Sequence, residues 1–250
     1  MQSVRISVVV AHAAHLLSIL GMVTRWRPEV LILTQSDTTL GKQQANVIQA
    51  GLHMVGLADR VTYLGIDEVT SYRQALAGNF SFHIEALPRI TAWLERVEPE
   101  AVFGDAFELT NYQHDVGRLL LDAAVTKHRA RGLRLRSYEI PLSVQPSLPC
   151  GPLQFGSFLS GPFERFRLTA AEAGLKQRVV DWASTVDSFV GKVAPLFPGL
   201  DVEIYREVRL IAIMPCRPLG LRVTMMLAAA KKFRWAVTKK RLPSIITSVR

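Results

Sequence analysis

Apolar and polar positions along the first two thirds of the chain follow two rhythms, short β-branched runs and longer stretches with a helical repeat. Residues 4–11 read as a strand, 12–26 as a helix, and 30–34 as a second strand. A helical stripe over 43–56, carrying Ala45, Ile48, Leu52 and Val55 and closed by Gly56, precedes a third strand at 61–65. A helix over 82–98 stops before Pro99, and 101–103 is a fourth strand. A helix over 115–131 turns Leu119, Leu120, Ala123 and Ala124 inward and leads to a strand over 134–144. The stretch 146–162 is rich in proline and glycine and reads as a loop. Residues 169–190 are again helical, with Thr169 as N-cap and Glu172 as its capping-box partner. Continuous apolar strands separated by helices are those of a sheet covered on both faces. The expected fold is therefore α/β, a doubly wound, Rossmann-like parallel sheet.

Composition narrows the class. The chain has 250 residues, 49% hydrophobic and 20% charged, enough for one large domain with its own core. Its two cysteines, Cys150 and Cys216, form no Cys-x-x-Cys, which points to a reducing, cytoplasmic setting. The apolar N-terminus is interrupted by two histidines and lacks a small-x-small cleavage site, so it reads as the first strand rather than a secretory signal. No apolar run is long enough to span a membrane. No Gly-rich phosphate loop succeeds the first strand and no Gly-x-Ser-x-Gly occurs, which argues against dinucleotide binding and a serine nucleophile elbow.

Charge changes the picture at one end. The net charge is +9, and residues 231–250 carry seven basic residues and no acid. With Met225, Met226, Leu227, Phe233 and Trp235 nearby, 218–250 reads as a basic amphipathic appendage to a domain spanning 1–217. Such a segment suits peripheral contact with an anionic membrane, at the inner surface, or is simply a solvated tail; nucleic acid is disfavoured because no reading motif accompanies the charge.

The chemistry starts at His12 and His15, which stand directly after the first apolar run. A buried parallel strand delivers the residues after its last position to the carboxyl edge of the sheet, where such folds hold their ligands. Two imidazoles three residues apart there suit one metal ion, or else are helix-start or core histidines.

Other stretches fit around this pair. The first strand ends in Ala11-His12-Ala13-Ala14-His15-Leu16 and the second in Leu33-Thr34-Gln35-Ser36-Asp37. Beyond the fourth comes Glu108-Leu109-Thr110-Asn111-Tyr112-Gln113-His114-Asp115. Phe166-Arg167-Leu168-Thr169, a helix containing Lys176, and Glu203-Ile204-Tyr205-Arg206 come later. In this order they resemble the PIG-L/LmbE family of zinc-dependent N-deacetylases, which act mainly on N-acetylated amino sugars and their conjugates. The family opens with Ala-His-Pro-Asp-Asp-Glu and carries Glu-Gly-Gly-His-x-Asp-His-Asp after its fourth strand.

The resemblance implies a zinc ion held by His12, by His15 at the position of the family's aspartate ligand, and by His114. Three neutral nitrogens leave the double charge of the ion uncompensated, which acidifies a coordinated water. Ala14 stands where the family has the aspartate general base, a loss that typically costs about 10²–10⁴ in rate. Asp115, Glu108 and Asp37 are the candidate replacement carboxylates, with Asp105 a further one, and Asp115 reads more readily as an outer hydrogen-bond acceptor or helix N-cap. Gln43, Gln44, Asn46 and Val47 occupy the region where the family brings arginine and glutamate to the substrate. Asn111 and Gln113 replace its outer histidine and aspartate, and Tyr112 is either an oxyanion donor or, the commoner fate, an aromatic packed against the loop. The implied function is hydrolysis of an N-acyl group on an amino-sugar-containing metabolite or polysaccharide precursor. The alternative, raised by Ala14, is a non-hydrolytic or repurposed protein that binds metal or glycan.

Overall fold

The computed structural model describes residues 4–36, 38–79, 81–106, 112–140, 164–187, 190–191 and 200–208. The expected strand runs become β1 (Ile6–Val10), β2 (Glu29–Gln35), β3 (Val61–Asp67), β4 (Ala101–Asp105) and β5 (Arg136–Ile140). They pair in parallel in the order β3-β2-β1-β4-β5. The order reverses between β1 and β4, and a doubly wound sheet opens a crevice at that point, beyond the carboxyl ends of the strands.

Two further strands extend the parallel sheet to seven strands. β7 (Val202–Glu207) runs antiparallel to β5, and β6 (Glu164–Arg167) antiparallel to β7. Neither strand is an apolar run, and β7 buries Glu203 and Arg206. The sheet is therefore mixed, with a parallel core and an antiparallel edge.

Helices cover both faces, and the period-two alternation of the central strands feeds two cores. Val8, Val10, Val30 and Ile32 pack beneath α1 (His15–Ser18), α2 (Leu20–Trp26), α3 (Thr39–Met54) and α8 (Ala170–Val186). Val9, Leu31, Leu33 and Val102 face α4 (Glu68–Leu76), α5 (Ser81–Ile84), α6 (Leu87–Val97) and α7 (Tyr112–Ala130). The capping box at Thr169 and Glu172 forms as expected.

Three helical expectations change. The helix expected over 12–26 is divided at Ile19, because the Ser18 carbonyl that would accept the Met22 N–H receives Lys176 Nζ instead, at 2.6 Å. Glu203 takes the freed N–H groups of Gly21 and Met22 at 2.7 and 2.6 Å, and so caps α2 from the far end of the chain. The helix expected over 82–98 is two, α5 and α6. Pro88 lies in the first turn of α6, where its missing N–H costs nothing, whereas a continuous helix would need that N–H to bond Ile84. Finally, α3 starts earlier than 43, at a turn where Thr38 accepts the Gly41 N–H at 3.1 Å.

Among the described residues no helix is long and apolar enough to cross a membrane. The 146–162 loop and the 218–250 appendage lie outside the described residues.

Candidate metal centre

His12 lies in the turn just after β1, and His15 is the first residue of α1. The turn is tight: the His15 N–H donates to the His12 carbonyl at 3.2 Å, which brings the two rings to one side. His114 arrives from the opposite layer, in the first turn of α7. Gly117, one turn later, permits its approach. A Cβ there would stand 3.1 Å from Leu33 and 3.7 Å from Ala11, so the bare backbone lets α7 lie close to the ends of β1 and β2.

The three histidines meet. Ring centroids are 5.0 Å apart for His12 and His15, 5.3 Å for His12 and His114, and 4.4 Å for His15 and His114. One ring nitrogen from each lies within 4.8 Å of the others. Zinc–nitrogen bonds of about 2.0–2.1 Å set two ligands of a tetrahedral ion about 3.3–3.4 Å apart, so the widest pair here closes by up to about 1.4 Å around an ion. An all-nitrogen set of this kind suits zinc and similar borderline ions, and is a poor cage for magnesium or calcium.

The surroundings keep two of these rings in the state a metal needs. Burial lowers the pKa of His15, outweighing the raising effect of Asp105. Burial, with the two neighbouring imidazoles, holds His114 well below the ordinary histidine value. Neutral imidazole is the form that binds metal.

Two carboxylates touch the ring edges. Asp105, buried at the end of β4, lies 2.9 Å from His15 Nδ1 through Oδ1 and accepts the Ala11 N–H at 2.6 Å through Oδ2. Glu68 Oε1 lies 2.6 Å from His12 Nδ1. Burial works to raise the Glu68 carboxyl, but the hydrogen bonds with His12 and Thr34 overcome it and leave it below its ordinary value.

Glu68 is a site residue that the sequence pattern does not single out. It opens α4, a helix absent from the expected elements, and Asp67 caps that helix by accepting the Thr70 N–H at 2.7 Å. The available signal is the pair Asp67-Glu68 at the end of an apolar run, an N-cap with an acid next to it in the first turn.

The candidate replacement carboxylates fall differently. Asp115 sits in the first turn of α7 with no exposed surface, and Asp37 and Glu108 lie outside the described residues, as does Asn111. Asp105 is engaged with His15 and Ala11. Tyr112 turns inward, 1% exposed, with its hydroxyl 3.1 Å from His83 Nε2, so it is part of the core rather than an oxyanion donor. His83 itself is buried beside Ser71 at 2.9 Å.

No family model and no curated protein matches the sequence. Solved structures do match. A deacetylase in complex with teicoplanin, from the biosynthesis pathway of teicoplanin, aligns over 81% of this chain and 97% of its own, with a TM-score of 0.51 and 11% identity. The deacetylase of the A40926 pseudoaglycone, Dbv21, aligns over 84% and 99%, with a TM-score of 0.50 and 13% identity. The chain has the fold of these deacetylases. At such identities the likeness is one of architecture, and it agrees with the PIG-L/LmbE-type fold that the strand-end motifs implied.

Proposed function

We propose that this chain is a zinc-dependent N-deacetylase acting on an N-acylated amino sugar within a glycoconjugate or polysaccharide precursor. The observation that carries the reading is the convergence of His12, His15 and His114 at the carboxyl edge of the sheet, with ring nitrogens within 4.8 Å. Two proteins of the same fold are deacetylases, one of them crystallised with teicoplanin. When bound, a divalent ion supplies Lewis acidity, polarising an acyl oxygen and lowering the pKa of water. His12, His15 and His114 would hold it through their ring nitrogens.

Ala14 offers no group to take a proton from the attacking water. That single observation supports a second reading, a protein that keeps the metal and the glycan but no longer hydrolyses the amide. Acetate release from a panel of N-acetylated amino sugars and glycoconjugates, by the zinc-loaded protein and by Ala14→Asp, separates the two. Hydrolysis predicts slow, chelator-sensitive release that rises by about 10²–10⁴ when the carboxylate is restored. Silence from both proteins contradicts the deacetylase reading and leaves the binding one.

A further inference from the structure

The contacts on the outer edges of two histidine rings fix which ring nitrogen carries the proton. Thr34 Oγ1 is 2.9 Å from His12 Nδ1, and it donates its own hydrogen to the Ala11 carbonyl at 2.7 Å. A second acceptor for that hydrogen, Glu68 Oε1, is 3.5 Å away, too long to compete. Toward His12, Thr34 is therefore an acceptor, and so is Glu68 Oε1 at 2.6 Å. Only a protonated Nδ1 satisfies both. Asp105 presents the same demand to His15 at 2.9 Å, since an ionised carboxylate accepts and cannot donate.

We infer that Glu68 and Asp105 are positioning residues that hold His12 and His15 as Nδ1–H tautomers, so that both rings offer a bare Nε2 to one metal ion. Ala11 ties the two halves together. Its N–H is held by Asp105 and its carbonyl accepts both the backbone N–H and the hydroxyl of Thr34, at 2.9 and 2.7 Å. The last residue before His12 thus anchors the supports of both rings to β1, β2 and β4, the rigid centre of the sheet. The carboxylates also stand one layer outside an all-imidazole ligand set, where they offset the charge of a divalent ion and raise the basicity of the rings.

This inference rests on the metal-binding part of the proposed function, but its test does not need the metal. Long-range proton–nitrogen correlation spectra of the metal-free protein, taken well above neutral pH, report the tautomer of each histidine ring. The expected result is Nδ1–H for His12 and His15 in the wild type, a shift of His12 toward Nε2–H in the double variant Glu68→Ala, Thr34→Val, which removes both acceptors, and an unchanged His15. Glu68→Gln in the Thr34→Val background keeps an acceptor oxygen and restores the His12 tautomer. Zinc affinity, measured by chelator competition, falls about 10–100-fold in Glu68→Ala and recovers in part in Glu68→Gln. Nε2–H rings in the wild type, or a double variant with the wild-type tautomers, overturn the inference. Failure of the wild type to bind zinc contradicts the metal function instead, and the tautomers of the metal-free rings still decide this one.

Discussion

Two groups of charge mark this fold, one buried in its interior and one part-buried at the sheet edge, and they are built on different terms. In the interior of the α7–β5–β7 layer, acids meet bases: Arg118 is paired with Asp122, and Arg206 reaches Glu139 at 2.6 Å. Lys176 meets Glu203 at 2.8 Å under α2. At the carboxyl edge, Asp105 and Glu68 face histidine rings instead, and burial lowers the pKa of His15 despite the acid beside it. The interior groups carry their own counter-charges and fasten elements together. The edge group sets two carboxylates behind imidazoles, an arrangement that a divalent cation completes. Buried charge alone does not mark a functional site; an acid set against an imidazole rather than a fixed cation is the better sign.

Removing one partner from each group should separate them. Lys176→Met strands the Glu203 carboxylate in a site with no exposure and frees the Ser18 carbonyl, so unfolding free energy should drop by about 3–5 kcal/mol in a denaturant titration, with zinc binding retained by the folded fraction. An unchanged midpoint would show that the pair is not a fastening.

His114→Ala inverts that result. Zinc affinity by chelator competition should fall roughly 100-fold or more, beyond what an outer partner costs. The metal-free protein should lose only about 1 kcal/mol, the common cost of a point substitution. A large stability loss with affinity intact would place His114 among the fastenings.

The smallest effect belongs to a surface pair. Glu172 is held down to about 2, chiefly by its hydrogen bond from Arg25, and it closes the capping box of α8. Because its pKa is depressed on folding, it stabilises the native state above its ordinary value of 4.5, and that contribution disappears as pH falls toward about 2. Glu172→Gln should cost about 1 kcal/mol or less at neutral pH and flatten the acid limb of the stability profile. An acid limb identical to that of the wild type would show that Glu172 does not contribute to it.

The sequence pattern exposes the parts of the molecule that hydrophobicity alone determines. β1, β2 and β4 are apolar runs buried in the centre of the sheet, and the histidines near their ends are legible because the strands announce the edge where ligands gather. The chain breaks at Ile19 for a reason no local window contains, since Lys176 and Glu203 act on that turn from more than 150 residues away. β7 is hidden from the pattern because its buried positions include Glu203 and Arg206, charges whose partners come from other elements. Glu68 escapes for a related reason: an acid at a strand end reads as solvated until the fold sets His12 beside it.

Anomalous diffraction at the zinc edge, from crystals of the full chain supplied with one equivalent of zinc, tests the metal centre most directly. The expected result is a single strong peak bonded to ring nitrogens of His12, His15 and His114, with Glu68 and Asp105 on the far edges of the first two rings. A peak held elsewhere, or no peak among these three rings, would contradict it.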